Sequence, residues 1–278
     1  RAGHATEMAT EAIAENYYGV LAIGGDGTIN EVASALRDSD VALGIIPCGS
    51  GNGMARHMKI PLNMEAALNV INENFVEKID YCMVNEHPFF CTCGVGFDAH
   101  VSKKFAESGK RGPITYVKKT LVEYLRYRSE VYELEYDGKM VSEKAFVIAC
   151  GNASQYGNNA YITPNASVHD GLIDVTVLHP FTPIDTAFIG LLLFTKHLDL
   201  DINMTWFRAK EVTIRRKEGG VMHLDGEPMV MGPELKVKCI PLGLKIFVSA
   251  NPSKDSILAP IGKTFWDFVN TIRNELNI

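Results

Sequence analysis

Apolar and polar positions follow two different rhythms along this chain, and the change comes near Ile79. Before it, short apolar runs at 20–23 and 41–46 alternate with helically spaced apolar residues at 6–15, 29–36, 54–58 and 64–71. Buried strands joined by amphipathic helices predict a parallel sheet with covering helices. After it, apolar stretches recur at 81–84, 88–93, 131–136, 144–150, 173–178, 211–216, 235–240 and 244–248. Turn signals separate several of them: Asp137-Gly138, Gly219-Gly220, Asp225-Gly226 and Leu242-Gly243. That pattern predicts a mostly antiparallel β-sandwich, interrupted by one long helix over 114–128. Residues 264–276 place Phe265, Phe268, Val269, Ile272 and Leu276 on one helical face, which predicts a helix docked on the body of the protein. The expected architecture is α/β plus mostly β. A three-layer α/β nucleotide-binding domain spans 1–78, with the tail 250–278 returning to it, and an antiparallel sandwich spans 79–249.

Two loops interrupt the first rhythm. Gly24-Gly25-Asp26-Gly27-Thr28 follows the first strand, and Pro47-Cys48-Gly49-Ser50-Gly51-Asn52-Gly53 follows the second. Three glycines and an acid are a poor way to build a core. They let a polyphosphate approach backbone closely, because no Cβ intervenes. N–H groups at a helix start lack partners and favour an anion. Asp26 would repel a bare phosphate, so its expected task is to hold a cation or take a proton from a hydroxyl. Both loops follow strand C-termini, where open α/β sheets bind ligands. Two other clusters leave alternatives open. Ser167-Val168-His169-Asp170-Gly171-Leu172-Ile173-Asp174 is either a turn aspartate bonding its own backbone or a hard-cation site. Leu224-Asp225-Gly226-Glu227-Pro228 is either a simple hairpin turn or two carboxylates reaching toward the glycine loops.

Composition narrows the function classes. The 278 residues are 46% hydrophobic with a formal net charge of −6, which excludes a disordered chain and gives no basic signature for nucleic acid. Six cysteines without any C-x-x-C spacing fit free thiols in a reducing cytoplasm better than a disulfide scaffold or a zinc site. No signal-peptide pattern opens the chain, and the apolar run 187–194 is far short of the roughly 20 residues that span a bilayer. One stretch departs from the acidic balance. Between 103 and 128, eight lysines and arginines meet only Glu107 and Glu123, with Tyr116, Val117, Leu121, Tyr124 and Leu125 interleaved. Such a stretch is either a surface for anionic lipid or a solvated helix face.

Gly-Gly-Asp-Gly-Thr-Ile-Asn-Glu-Val at 24–32, Pro-Cys-Gly-Ser-Gly-Asn at 47–52, Asp-Gly-Leu-Ile-Asp-Val at 170–175 and Leu-Asp-Gly-Glu-Pro at 224–228 together resemble the diacylglycerol kinase catalytic-domain family. Within it, the chain is similar to bacterial lipid kinases related to sphingosine and ceramide kinases. The resemblance implies a soluble, membrane-visiting kinase that moves the ATP γ-phosphate to a lipid hydroxyl of diacylglycerol or a sphingoid-type lipid. It implies ATP contacts at Gly24, Gly25, Asp26, Gly27, Thr28, Ile29, Asn30, Glu31, Gly49, Ser50, Gly51 and Asn52. It also implies a structural Mg²⁺ at Ser167, Asp170 and Leu172, a proton acceptor at Glu227, and roles for Asp225 and Asp26 in catalysis. The expected partners are the lipid alcohol and a transient membrane surface at the inner face, with no nucleic acid; homodimerisation stays open. The family's opening strand, carrying Asn-Pro-x-Ser-Gly, is not among these residues, and a sheet without it is expected to expose an edge. Gly53 stands where many diacylglycerol kinases have Asp, closer to the sphingosine-kinase form. An NAD kinase-like enzyme and a non-catalytic nucleotide-binding module are the competing readings.

Overall fold

Strand β1 (Gly19–Gly24) pairs in parallel with β2 (Ala42–Pro47), and β2 pairs in parallel with the end of a long last strand, β14 (Glu234–Phe247). The computed structural model describes residues 1–108, 127–182 and 185–251. Helices α1 (His4–Ala14), α2 (Asp26–Leu36), α3 (Gly53–His57) and α4 (Met64–Asn72) accompany this sheet. Ile29, Val32, Ala33 and Leu36 of α2 bury their faces against Leu43, Ile45, Ile79 and Ile246, forming the first core. Every residue of β2 is buried, as a strand covered on both faces must be. Strand β1 is different: among the described residues it pairs with β2 alone, and Leu21 and Ile23 stay exposed.

The second unit is a sandwich. One sheet runs β10 (Met204–Ala209), β9 (Ile173–Leu178), β8 (Val147–Gly151), β5 (Thr92–Gly96), β12 (Gly220–Leu224) and β13 (Glu227–Met231), antiparallel throughout. The facing layer contains β6 (Glu130–Tyr136), β7 (Lys139–Ala145) and β11 (Glu211–Arg216), continued by β14, β3 (Val76–Val84) and β4 (His87–Phe89). Cys82, Cys93, Leu134, Ile148, Cys150, Val175, Ile214 and Leu235 meet between the layers. All six cysteines are free thiols. Helices α5 (Phe97–Ser108) and α6 (Asp185–Thr195) accompany a third apolar cluster around Phe97, Phe146, Ile189 and Leu192.

The two units share one sheet, because β3 and β14 pass from one into the other with no break near residue 78. The run predicted as two strands, 235–240 and 244–248, is a single strand whose register shifts between Ile240 and Leu244. Leu242 sits there at φ 54°, and its N–H donates to the buried Asp80 carboxylate at 2.8 Å. The other Asp80 oxygen accepts the Gly171 N–H at 2.7 Å, which ties the 167–172 turn to the same point. The predicted helix over 114–128 lies mostly, and the one over 264–276 wholly, outside the described residues. No described helix is long and apolar enough to cross a membrane.

Candidate active site

The first glycine loop is itself the start of a helix. Gly25 is the N-cap of α2, its carbonyl accepts the Ile29 N–H at 3.0 Å, and no side chain caps the first turn. The N–H groups there carry the positive end of the helix. The second loop folds against the first, glycine on glycine. A Cβ on Gly49 would stand 2.5 Å from Cα of Gly25, and the Cys48 N–H donates to the Gly24 carbonyl at 2.8 Å. Asn52, at φ 51°, closes the second loop on itself by accepting from Gly49 N–H and donating to Gly49 carbonyl. We expect Gly49→Ala to push two backbones apart that no rotamer change can relieve. Thermal melts should show a melting temperature lower by roughly 3–10 °C.

Asp26 latches the loops together. One of its oxygens accepts the Asn52 N–H at 2.9 Å and the other the Gly53 N–H at 2.7 Å, so it caps α3 from outside that helix. Burial raises its pKa above the usual carboxylate value, the N–H from Gly53 works against that, and the nearby Asp225 adds to the rise. Asp225 is held more tightly still. Its carboxylate accepts from Asn30 Nδ2 at 2.8 Å and from the N–H groups of Phe90, Cys91 and Thr92 at 2.9, 2.8 and 3.0 Å. Those donors are free because the predicted strand over 88–93 is split between β4 and β5. Burial raises the Asp225 pKa, with the four donors opposing it.

Asp225 and Gly226, at φ 47° and 89°, form the two-residue turn between β12 and β13, in which Leu224 pairs with Glu227. The segment is a hairpin, and its two carboxylates take different places. Asp225 points inward. Glu227 is exposed, and its Oε1 would be 3.6 Å from a Cβ on Gly27. One carboxylate of the sandwich thus stands beside the first turn of α2.

The other predicted contacts divide. Gly24, Gly25, Gly27, Gly49, Gly51 and Asn52 lie on the two touching loops, with Ser50 exposed on the second. Asn30 reaches across to Asp225. Ile29 buries its side chain in the first core, so only its backbone is available to a ligand. The Glu31 carboxylate caps α1, accepting from Gly3 and Ala5 N–H groups at 2.9 and 3.2 Å. In the third cluster, Asp170 Oδ1 accepts the Leu172 N–H at 3.1 Å, and Oδ2 lies 3.8 Å from Nη1 of Arg208. No group of three or more acidic, His or Cys side chains gathers as a metal site among the described residues. One carboxylate with main-chain carbonyls and waters still suits Mg²⁺, which keeps much of its hydration when bound. Asp174 next to it pairs with Arg208 at 3.1 Å, while its buried Oδ2 has no partner among the described residues and burial raises its pKa to about 6.

Several supporting residues carry no motif. Buried His223 and the partly buried Asp98 and Tyr156 form a polar cluster behind the hairpin. Arg56 donates from Nε to the Gly51 carbonyl at 3.0 Å, and His57 Nδ1 accepts the Ser154 N–H at 3.1 Å. Burial, then the charges of Lys196, His169 and Lys59, lower the His57 pKa to about 4. The unfolded chain therefore binds a proton that the folded chain refuses between about pH 6.5 and 4. The stability this site holds above pH 6.5 is lost as pH falls toward 4, by up to about 3 kcal/mol. His57→Asn keeps an acceptor for Ser154. Urea unfolding at pH 7 and pH 4.5 should show its acid loss smaller than that of the unchanged protein by roughly 2–3 kcal/mol.

An α/β unit with two glycine loops, joined through one sheet to a sandwich that brings a carboxylate onto them, is the architecture of a two-domain phosphate-handling enzyme. Comparison with known proteins gives the family. Residues 1–84 match the diacylglycerol kinase catalytic domain, and residues 91–248 match the YegS C-terminal NAD kinase beta sandwich-like domain. The chain belongs to the diacylglycerol kinase catalytic-domain family, in its lipid-kinase branch with a YegS-type sandwich. A probable lipid kinase YegS-like of Pseudomonas aeruginosa PAO1 is 30% identical over 260 residues, covering 89% of this chain and 82% of that protein. An uncharacterized protein of Synechocystis is 28% identical over 244 residues, covering 84% of this chain and 55% of that longer protein. A diacylglycerol kinase structure from Bacillus anthracis superposes with a TM-score of 0.70 at 20% identity, covering 91% of this chain and 84% of that one, and so shares its fold.

Proposed function

We propose that this protein transfers the γ-phosphate of ATP to the hydroxyl of a lipid, diacylglycerol or a sphingoid-type alcohol, in the cleft between the glycine loops and the β12–β13 hairpin. The observation that carries the reading is Glu227 standing beside Gly27, an exposed carboxylate at the uncapped start of α2. Phosphoryl transfer needs positioning and charge stabilisation more than covalent chemistry. The first-turn N–H groups of α2 and the Gly49–Asn52 loop would hold the phosphates, with Asp26 fixing the two loops in register. Glu227 would accept the proton of the attacking hydroxyl, and Asp225 would hold the hairpin that carries it.

Asp170, with the carbonyls of Ser167 and Leu172, would hold a Mg²⁺ on the sandwich side. Bound with ATP, Mg²⁺ supplies charge neutralisation at the phosphates. A lipid hydroxyl must be met at a bilayer, and the basic, aromatic stretch 103–128 supports a peripheral contact with anionic membrane at the cytoplasmic face. Most of that stretch lies outside the described residues. Labelled ATP incubated with the protein and, separately, diacylglycerol, a sphingoid base, ceramide and NAD tests the assignment. Label in a lipid supports it. Label in NAD alone, or in none, overturns it in favour of a nucleotide kinase or a non-catalytic nucleotide-binding module.

A further inference from the structure

We propose that His223 is a positioning residue, which with Asp98 and Tyr156 sets the Glu227 hairpin and the second glycine loop in register across the cleft. The inference rests on the reading of Glu227 as the proton acceptor. His223 lies on β12, two residues before Asp225, and its side chain is 2% exposed. Its Nε2 lies 3.0 Å from Asp98 Oδ2, and its Nδ1 accepts the Gly226 N–H at 3.4 Å. A carboxylate on one side and a peptide N–H on the other fix the tautomer with the proton on Nε2. The ring therefore joins the turn to Asp98 without entering the cleft.

Asp98 joins it onward. The oxygen that receives His223 also accepts the Tyr156 hydroxyl at 2.7 Å, and the other accepts the Ala99 N–H at 2.7 Å. Room for this meeting comes from Gly94, where any Cβ would collide with Asp98 Oδ2 and His223 Nε2. Tyr156 packs its ring edge-on to His223, 5.5 Å between centroids. Its main chain lies under the second glycine loop: its carbonyl would be 3.2 Å from a Cβ on Gly53, and the Asn158 N–H donates to the Gly51 carbonyl at 3.0 Å. The path runs from Gly226 through His223, Asp98 and Tyr156 to Gly51 and Gly53, and Asp26 and Asn30 close it on the far side. A displacement of the hairpin by a fraction of an ångström would misplace Glu227, and such errors weigh heavily on rate.

Two substitutions divide the ring's contacts. His223→Gln places a donor near the Nε2 position and keeps Asp98, but loses the acceptor for Gly226. His223→Asn places an acceptor near Nδ1 and keeps the turn, but loses Asp98. With labelled ATP and whichever lipid the unchanged protein phosphorylates, His223→Gln should lower kcat on the order of tenfold, with KM for ATP within about twofold. His223→Asn cuts the same path at Asp98 but keeps the turn that carries Glu227, so it should lower kcat by a smaller factor, about threefold. In a Glu227→Gln background, His223→Gln should cost no further rate, because it acts through Glu227. Losses that multiply in the double variant, or equal losses from both His223 variants in step with their melting temperatures, would overturn the proposal in favour of plain packing. A fully active Glu227→Gln protein would instead overturn the reading of the base, while the kcat and KM values of the single variants still report on the hairpin.

Discussion

Asp26→Asn is expected to lower ATP-dependent phosphoryl transfer about 10²–10³-fold while the protein stays folded. The amide offers one acceptor where the structure uses two, on the N–H groups of Asn52 and Gly53, and it turns an NH₂ toward one of them. Both glycine loops would then lose their common anchor, and the positive helix start would face ATP without its partner loop. The fold should survive, because the core of α2 depends on Ile29, Val32, Ala33 and Leu36 and not on the loop. Steady-state rates at varied ATP, beside thermal melts, check both halves. A rate within threefold of the unchanged protein would show that the latch is dispensable.

Asp225→Asn should damage stability and rate together. Four donors converge on that carboxylate, three of them main-chain N–H groups with no strand partner to return to. An asparagine can receive at one oxygen only, leaving buried donors unmet at about 1–3 kcal/mol each. A loss of roughly 2–4 kcal/mol corresponds to a melting temperature lower by on the order of 5–15 °C. Rate should fall by at least about 10²-fold, because the same turn carries Glu227. Melting curves and transfer rates on one preparation test this. Asp26 and Asp225 are thereby distinguished by degree: the first leaves one N–H unmet and should cost mainly rate, the second leaves more and should cost rate and stability together.

Much of this was legible in the chain, and the exceptions have physical causes. The glycine loops, the strands before them and the Asp225-Gly226 turn stand out because glycine and aspartate punctuate apolar runs. Strands β7, β10, β12 and β13 were not predicted. Gly220–Leu224 is short and opens on Gly219-Gly220, and Met204–Ala209 has no clean alternation. The Pro241-Leu242-Gly243 segment reads as a break, whereas β14 passes through it because Asp80 receives Leu242 from below. Phe90 to Thr92 read as strand, yet they serve Asp225 with their N–H groups, a contact 133 to 135 residues away in sequence that no local pattern reports. That the Glu31 carboxylate caps α1 is likewise invisible in the sequence, because Gly3 and Ala5 lie 28 and 26 residues away from it. Asp98 and His223 lay in plain strands and helices. The one available signal was that His223 stands two residues before Asp225.

The most direct test of the account is the phosphoryl-transfer rate of Glu227→Gln measured beside its affinity for ATP. Glutamine keeps the size of the side chain and the exposed position next to Gly27 while removing its basicity. The account predicts ATP affinity within about twofold of the unchanged protein and single-turnover transfer to the lipid hydroxyl slower by at least about 10²-fold. Transfer at the unchanged rate, or a loss explained wholly by weaker ATP binding, would contradict it.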